Sequence, residues 1–377
     1  MNVVLLIFFI TSTLCLKESS NPTIYIAGDS TVKTYADNQF TAGWGQYLSY
    51  FLDAEIPVIN AAQGGRSSRS FINENRLYAV ENDPYKFGEN NGKPIMSTIQ
   101  KGDYLFFQFG HNDDASYLPK SYRTLVDRMV PVGTPVDGVY PTTEGIKSKT
   151  NVLPKDYTDY ATDAEQVEAL AMIAKYGDEY YVYDPEKGTY KWYLREYIRL
   201  AREKGAIPVI VTPVTRKVMK NGKIVGGAGH FGENFAYVEA ARQLAKEENC
   251  LLVDLFDKTV KMHEIIQENY VSYLHSLSPA TLTGDWPEGF ENAFNNKTAG
   301  CTGVDRTHYN KFGAFMAAAF VADTILSEKD KILSNGEQWT FKDKVMTQPR
   351  VFVEAPGIPN TSLQSVYALF NYVNFQK

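Results

Sequence analysis

The sequence predicts an α/β fold, a parallel central sheet covered by helices on both faces. Three observations carry this. Short runs rich in Ile, Val, Leu and Phe alternate with longer segments of helical pattern. The runs are apolar nearly throughout, as strands covered on both faces must be. One helical segment ends in Arg199, Arg202 and Lys204 followed by Gly205, a stop signal placed where the next run should begin.

In chain order, strands are expected at 23–27, 58–61, 104–109, 208–212 and 251–255. Helices are expected at 45–52, 94–100, 190–204, 235–248 and 310–326, so that each parallel strand is reached by a crossover. Two regions break the alternation. Residues 115–185 form a turn-rich insertion, with a helix expected at 163–176, in a position suited to shape a ligand groove. Residues 328–377, with a strand-like "RVFVE" and an apolar "SVYALFNYVNF", read as an appendage packed on the main domain, which spans 20–327.

The chain has 377 residues, 44% of them hydrophobic and 13% aromatic, enough for a large core, and a net charge of −6. That balance argues against a nucleic-acid partner, which needs a broad basic face. Residues 1–19 contain an apolar run too short to span a bilayer and read as a secretory signal peptide, so the expected location is extracellular. No later segment is a membrane span. Export would permit a disulfide between Cys250 and Cys301, and glycans at the sequons of Asn296 and Asn360. The chain is expected to act as a monomer.

In an open parallel sheet, ligands bind beyond the carboxyl ends of the strands. Gly28-Asp29-Ser30 follows the first run, "QGGRSSRSF" at 63–71 the second, and Gly110-His111-Asn112-Asp113 the third. The loop "GVDRTHYN" at 303–310 precedes the last helix. Each piece suits acyl transfer. Ser30 is a candidate nucleophile, His308 its base, and Asp305 the carboxylate that sets the tautomer of the base. The backbone N–H groups of Ser30 and Gly65, with the Asn112 side-chain amide, can form an oxyanion hole. Each piece alone has a plainer reading. Asp29, Ser30 and Thr31 suit a helix cap, Gly64-Gly65 a turn, Asn112-Asp113 a cap, and Asp305-x-x-His308 a helix N-terminus. His111 is read as a packing or hydrogen-bonding residue, and His230, His263 and His275 lack metal-ligand spacing, so no metal is expected. Cys250 is read as structural.

In order, the blocks "GDST", "NAAQGGRSSRSF", "FGHND", "PVIVTPVTRK" and "DRTHYNKFGA" resemble the SGNH (GDSL-like) hydrolases, and more narrowly the rhamnogalacturonan acetylesterases. The resemblance spans about residues 23–326. It implies a three-layer αβα, flavodoxin-like domain with a shallow site and no cofactor. It implies Ser30, Asp305 and His308 as a triad, and Ser30, Gly65 and Asn112 as the oxyanion hole. The insertion and the appendage lie outside the shared blocks and bear on the choice of polymer. Rhamnogalacturonan carries a carboxylate in every disaccharide, so Arg66 and Arg69 are candidate substrate-binding residues through their bidentate forks, unless Arg66 or Arg69 merely ties loops together, and Tyr117, Tyr122 and Trp192 are candidate sugar-stacking surfaces.

The expected function is a secreted serine esterase that deacetylates a plant cell-wall polysaccharide, rhamnogalacturonan foremost. Protonation of His308 would remove the base, so activity should fall on the acid side. Two alternatives stay open: an acetylxylan or short-chain acyl esterase of the same fold, and a non-catalytic carbohydrate-binding protein.

Overall fold

The structure, a computed structural model, describes residues 21–37, 39–79, 93–114, 190–226, 230–231, 235–278, 303–355 and 357–370. The signal segment, the insertion at 115–185 with Tyr117 and Tyr122, Asn296 and Cys301 lie outside the described residues. Nine strands are described: β1 (Ile24–Gly28), β2 (Val58–Asn60), β3 (Tyr104–Gln108), β4 (Ile207–Val211), β5 (Met219–Lys220), β6 (Lys223–Ile224), β7 (Leu251–Val253), β8 (His275–Ser278) and β9 (Gly303–Tyr309). The α-helices are α1 (Ser68–Asn73), α2 (Tyr190–Glu203), α3 (Ala236–Glu247), α4 (Leu255–Ile266), α5 (Lys311–Ser327) and α6 (Asn360–Tyr367).

The five expected strands form one sheet in the order β2-β1-β3-β4-β7, with every pair parallel. Successive side chains serve opposite faces, which is why the runs are apolar throughout. Ile24, Ile26, Tyr104 and Phe106 enter a core shared with α5, and Tyr25, Ala27, Leu105 and Phe107 enter a second core under α2 and α3. Helix α5 is buried over nearly its whole length, as its apolar circumference requires. Its one buried carboxylate, Asp323, is met by Lys258 Nζ at 2.6 Å. The fold is a three-layer α/β sandwich. The strand order reverses between β1 and β3, which makes their carboxyl ends the expected ligand crevice.

Several local expectations are corrected. Residues 45–52 form two 3₁₀ turns, Trp44–Gln46 and Leu48–Phe51, instead of an α-helix. They wedge tightly against the nucleophile loop, since a Cβ at Gly45 would lie 2.7 Å from Val32 O. Residues 94–100 keep only the 3₁₀ turn Ile95–Ser97 after Pro94. Strand β7 stops at Val253 because Asp254 caps α4 through the Asp257 N–H, so Leu255 opens a helix that apolar periodicity concealed inside a strand-like run. Residues 350–354 form no strand, and Val351 and Phe352 are exposed. Trp339 and Phe341, beyond the main domain as drawn from sequence, belong to the α5 core and pack on Tyr104. Cys250 is a free, buried thiol that donates to Pro208 O at 3.3 Å. Asn360 is exposed at the start of α6.

Candidate active site

Ser30 leaves β1 on a single tight turn. The Asp29 carbonyl accepts the N–H groups of Val32 and Lys33, at 3.2 and 3.1 Å. Asp29 Oδ1 accepts both the Thr31 N–H and the Thr31 hydroxyl, at 2.8 and 2.7 Å. The capping and nucleophile readings therefore coexist: Asp29 caps the turn, no α-helix follows it, and the turn presents Ser30. Gly28 is needed for close approach, since a Cβ there would sit 2.7 Å from Val32 Cγ2.

A buried donor chain fixes this turn. Trp44 Nε1 donates to Gln108 Oε1 at 2.8 Å, Gln108 Nε2 donates to Thr31 Oγ1 at 2.7 Å, and the Thr31 hydroxyl donates in turn to Asp29 Oδ1. Burial raises the Asp29 carboxyl from 3.8 to about 6, against the Thr31 hydrogen bonds and the electrostatic pull of His308 and Arg216. Its Oδ2 is buried with no hydrogen-bond partner among the described residues.

His308 Nε2 lies 2.7 Å from Ser30 Oγ, and His308 Nδ1 lies 2.7 Å from Asp305 Oδ2. Asp305 Oδ1 accepts the N–H groups of Thr307 and His308, at 2.6 and 3.0 Å. Burial alone would raise the Asp305 carboxyl, but the hydrogen bond and charge of His308 and these two amides hold it well below the usual carboxylate range. An ionised Asp305 can only accept, so Nδ1 carries the proton of the neutral ring and Nε2 offers its lone pair to the Ser30 hydroxyl.

The expected loop around Asp305 and His308 is part of β9, which pairs antiparallel with β8. Between the pairs His275↔Tyr309 and Leu277↔Val304 the register shifts. There Ser276 alone faces Asp305, Arg306, Thr307 and His308. This bulge lifts the Asp-x-x-His segment out of the ladder and curls it so that both side chains meet. The Asp305 and His308 side chains keep 24% and 28% exposure, so a substrate ester can reach them.

The oxyanion candidates come together at the neighbouring strand ends. A Cβ on Gly64 would lie 3.7 Å from Ser30 Cβ, which places the loop after β2 directly on the serine. Asn112 Nδ2 spends one proton on Arg66 O at 2.9 Å and keeps a second. No hydrogen bond among the described residues engages the backbone N–H of Ser30 or Gly65. Gly65 adopts φ +77°, a conformation that glycine takes without strain.

The two arginines both have partners within the chain. Arg66 clamps Glu74 with Nε at 2.9 Å from both carboxylate oxygens, and its NH1 donates to Gly64 O. Arg69 is buried at 5% exposure. Arg66 thereby braces the loop after β2. Trp192 sits on α2, edge-on to Tyr193, against the core below that helix. His111 is buried and accepts Arg216 Nε at 3.2 Å, and burial together with the Arg216 charge keeps it well below its usual range. No group of three or more His, Cys, Asp or Glu able to hold a metal occurs among the described residues. Sequence reasoning missed Gln108 and Tyr35, whose hydroxyl donates to Ser30 O at 2.9 Å. A glutamine closing the apolar run "YLFFQ" was the available signal for the first.

Residues 24–320 match the family GDSL-like Lipase/Acylhydrolase. The chain is 33% identical to the probable rhamnogalacturonan acetylesterase YesY of Bacillus subtilis, over 80% of this chain and 91% of that one. It is 27% identical to the rhamnogalacturonan acetylesterase RhgT of the same organism, over 82% and 94% of the two chains. A solved structure, the protein YXIM of Bacillus subtilis, is 21% identical with a TM-score of 0.46, over 82% of this chain and 57% of that one. The chain belongs to the GDSL-like lipase/acylhydrolase family, within the SGNH superfamily and alongside the rhamnogalacturonan acetylesterases, and is a hydrolase of ester bonds.

Proposed function

We propose that this chain is a secreted serine carbohydrate esterase that removes acetyl groups from rhamnogalacturonan. The observation that supports the chemistry is the Asp305–His308–Ser30 relay, with both contacts at 2.7 Å. His308 Nε2 takes the Ser30 hydroxyl proton as Oγ attacks the acetyl carbonyl. The tetrahedral oxyanion is held by the Ser30 and Gly65 amides and the remaining Asn112 proton. His308 then gives its proton to the departing sugar oxygen, leaving an acetyl ester on Ser30. Water attacks that ester while His308 takes its proton. Acetate departs and the proton returns to Ser30 Oγ. Asp305 stays ionised throughout and stabilises the imidazolium.

The polymer assignment draws on the names of the relatives, which are rhamnogalacturonan acetylesterases. Acetate release should be compared on acetylated rhamnogalacturonan, acetylated xylan and an aryl acetate. Release from rhamnogalacturonan should exceed release from xylan, and the reverse order would sink the polymer assignment. Export is tested on the secreted product, whose N-terminus should lie near residue 20 of this sequence.

A further inference from the structure

The turn that carries Ser30 also carries a cation. Lys33 N–H closes the turn on Asp29 O at 3.1 Å, and Lys33 O accepts the Gly43 N–H at 3.0 Å. A Cβ on Gly43 would lie only 2.5 Å from Lys33 N, so the chain is pressed against Lys33 and its backbone is held firmly. Its stem runs along the oxyanion loop. A Cβ on Gly64 would be 3.7 Å from Ser30 Cβ and 4.0 Å from Lys33 Cδ, so the nucleophile and the lysine border the same glycine. The ammonium stands 5.5 Å from the centre of the Tyr35 ring, and Tyr35 is bonded to Ser30 O.

Among the described residues no carboxylate pairs with Lys33. Asp29 and Asp305 are engaged elsewhere, Asp29 with Thr31 and Asp305 with His308. Arg66, another cation at this edge, is spent on Glu74. Lys33 is half-buried as a residue and carries its ammonium on a flexible stem, a form that suits an incoming point charge.

We propose that Lys33 is the specificity-determining cation of the site. It pairs with the carboxylate of a uronate unit next to the acetylated sugar and so favours acidic over neutral acetylated polymers. This inference rests on the esterase reading of Ser30. Lys33→Gln and Lys33→Arg should be compared with the parent on acetylated rhamnogalacturonan and on an aryl acetate, with kcat and KM measured separately at low and high salt. For Lys33→Gln, the ratio of kcat/KM on the acidic polymer to that on the aryl ester should fall about fivefold, the value of a partly exposed ion pair. The change should sit in KM, Lys33→Arg should restore most of it, and added salt should narrow the gap. An unmoved ratio in Lys33→Gln, or an equal loss on both esters, overturns the assignment while leaving the esterase reading intact. A parent enzyme that hydrolyses neither ester overturns the esterase reading, and the Lys33 inference with it.

Discussion

Asp113 holds Ser68 by two atoms. Its Oδ1 accepts the Ser68 hydroxyl at 2.6 Å and the Ser68 N–H at 3.2 Å, while Oδ2 accepts the Gly110 N–H at 3.0 Å. One buried carboxylate thereby ties the loop after β3, with Asn112, to the start of α1, which follows Gly65. The oxyanion donors come from two separate strand ends, and this is a link that sets their spacing. Asp113→Ala leaves three buried donors without their acceptor. Stability should fall by about 3 kcal/mol or more in urea titration, and kcat should fall with it. Unchanged stability would mean that the loops are held by other contacts.

Ser30→Ala should abolish turnover. Asp305→Asn should lower kcat about 10⁴-fold, because an amide offers a donor where Nδ1–H needs an acceptor and favours the wrong tautomer. The check is single-turnover acetate release, with the fold verified by circular dichroism. An Asp305→Asn variant of near-parental kcat would remove the relay as the source of catalysis.

Asn112→Ala removes the side-chain donor and leaves the Ser30 and Gly65 amides. The expected loss is about 10²–10³ in kcat with KM little changed, since the donor acts on charge that develops only in the transition state. Equal effects on kcat and KM would instead indicate a role in ground-state binding.

Much of this site was legible because short motifs fall where the sheet topology brings strand ends together. Gly28-Asp29-Ser30, Gly65 and Asn112 lie at β1, β2 and β3, and these three strands are neighbours. The β8/β9 ribbon was not legible. A seven-residue strand with a four-residue bulge has neither clean alternation nor a turn signature, so "GVDRTHY" reads as a loop. A loop-tying role for Arg66 was one of the two readings open in the sequence, but its partner was not legible. Arg66 and Glu74 are eight positions apart, and only the short helix α1 between them folds the acid back onto the guanidinium.

Stability should fall in acid. Burial brings His230 to about 4 and His263 to about 3, and puts His111 and His275 well below the usual 6.5. Their neutral forms have fixed partners: His263 Nδ1–H donates to Thr259 O at 2.7 Å, and its Nε2 accepts His275 Nε2–H at 2.9 Å. The unfolded chain binds protons at these sites below pH 6.5 that the folded chain does not. Their contribution is therefore complete above pH 6.5 and is lost as pH falls toward the folded values. Asp29 opposes this between about 6 and 3.8, where the folded state takes up a proton first. Four groups against one leave a net loss between pH 7 and pH 5, with roughly 2 kcal/mol from His230. Thermal midpoints across this range check the sign, and His230→Gln should flatten the slope by one group's share.

Two glycines should respond to alanine for different reasons. Gly313 lies in the first turn of α5, where its N–H is capped by Asn310 Oδ1 at 2.9 Å. A Cβ there would stand 2.2 Å from Leu274 O, inside backbone that cannot yield as a side chain would. Leu274 immediately precedes β8, and Asn310 immediately follows β9, so the clash pushes on the ribbon that carries His308. Gly313→Ala should cost about 1–3 kcal/mol, and it should lower kcat by shifting His308 from Ser30. Gly65→Ala meets no atom within 4 Å and pays only for its φ of +77°, about 1–2 kcal/mol. It keeps its N–H, so its kcat should stay closer to the parent's. Paired denaturation and kinetic measurements decide the matter: a harmless Gly313→Ala would show that α5 can slide away from Leu274 without disturbing His308.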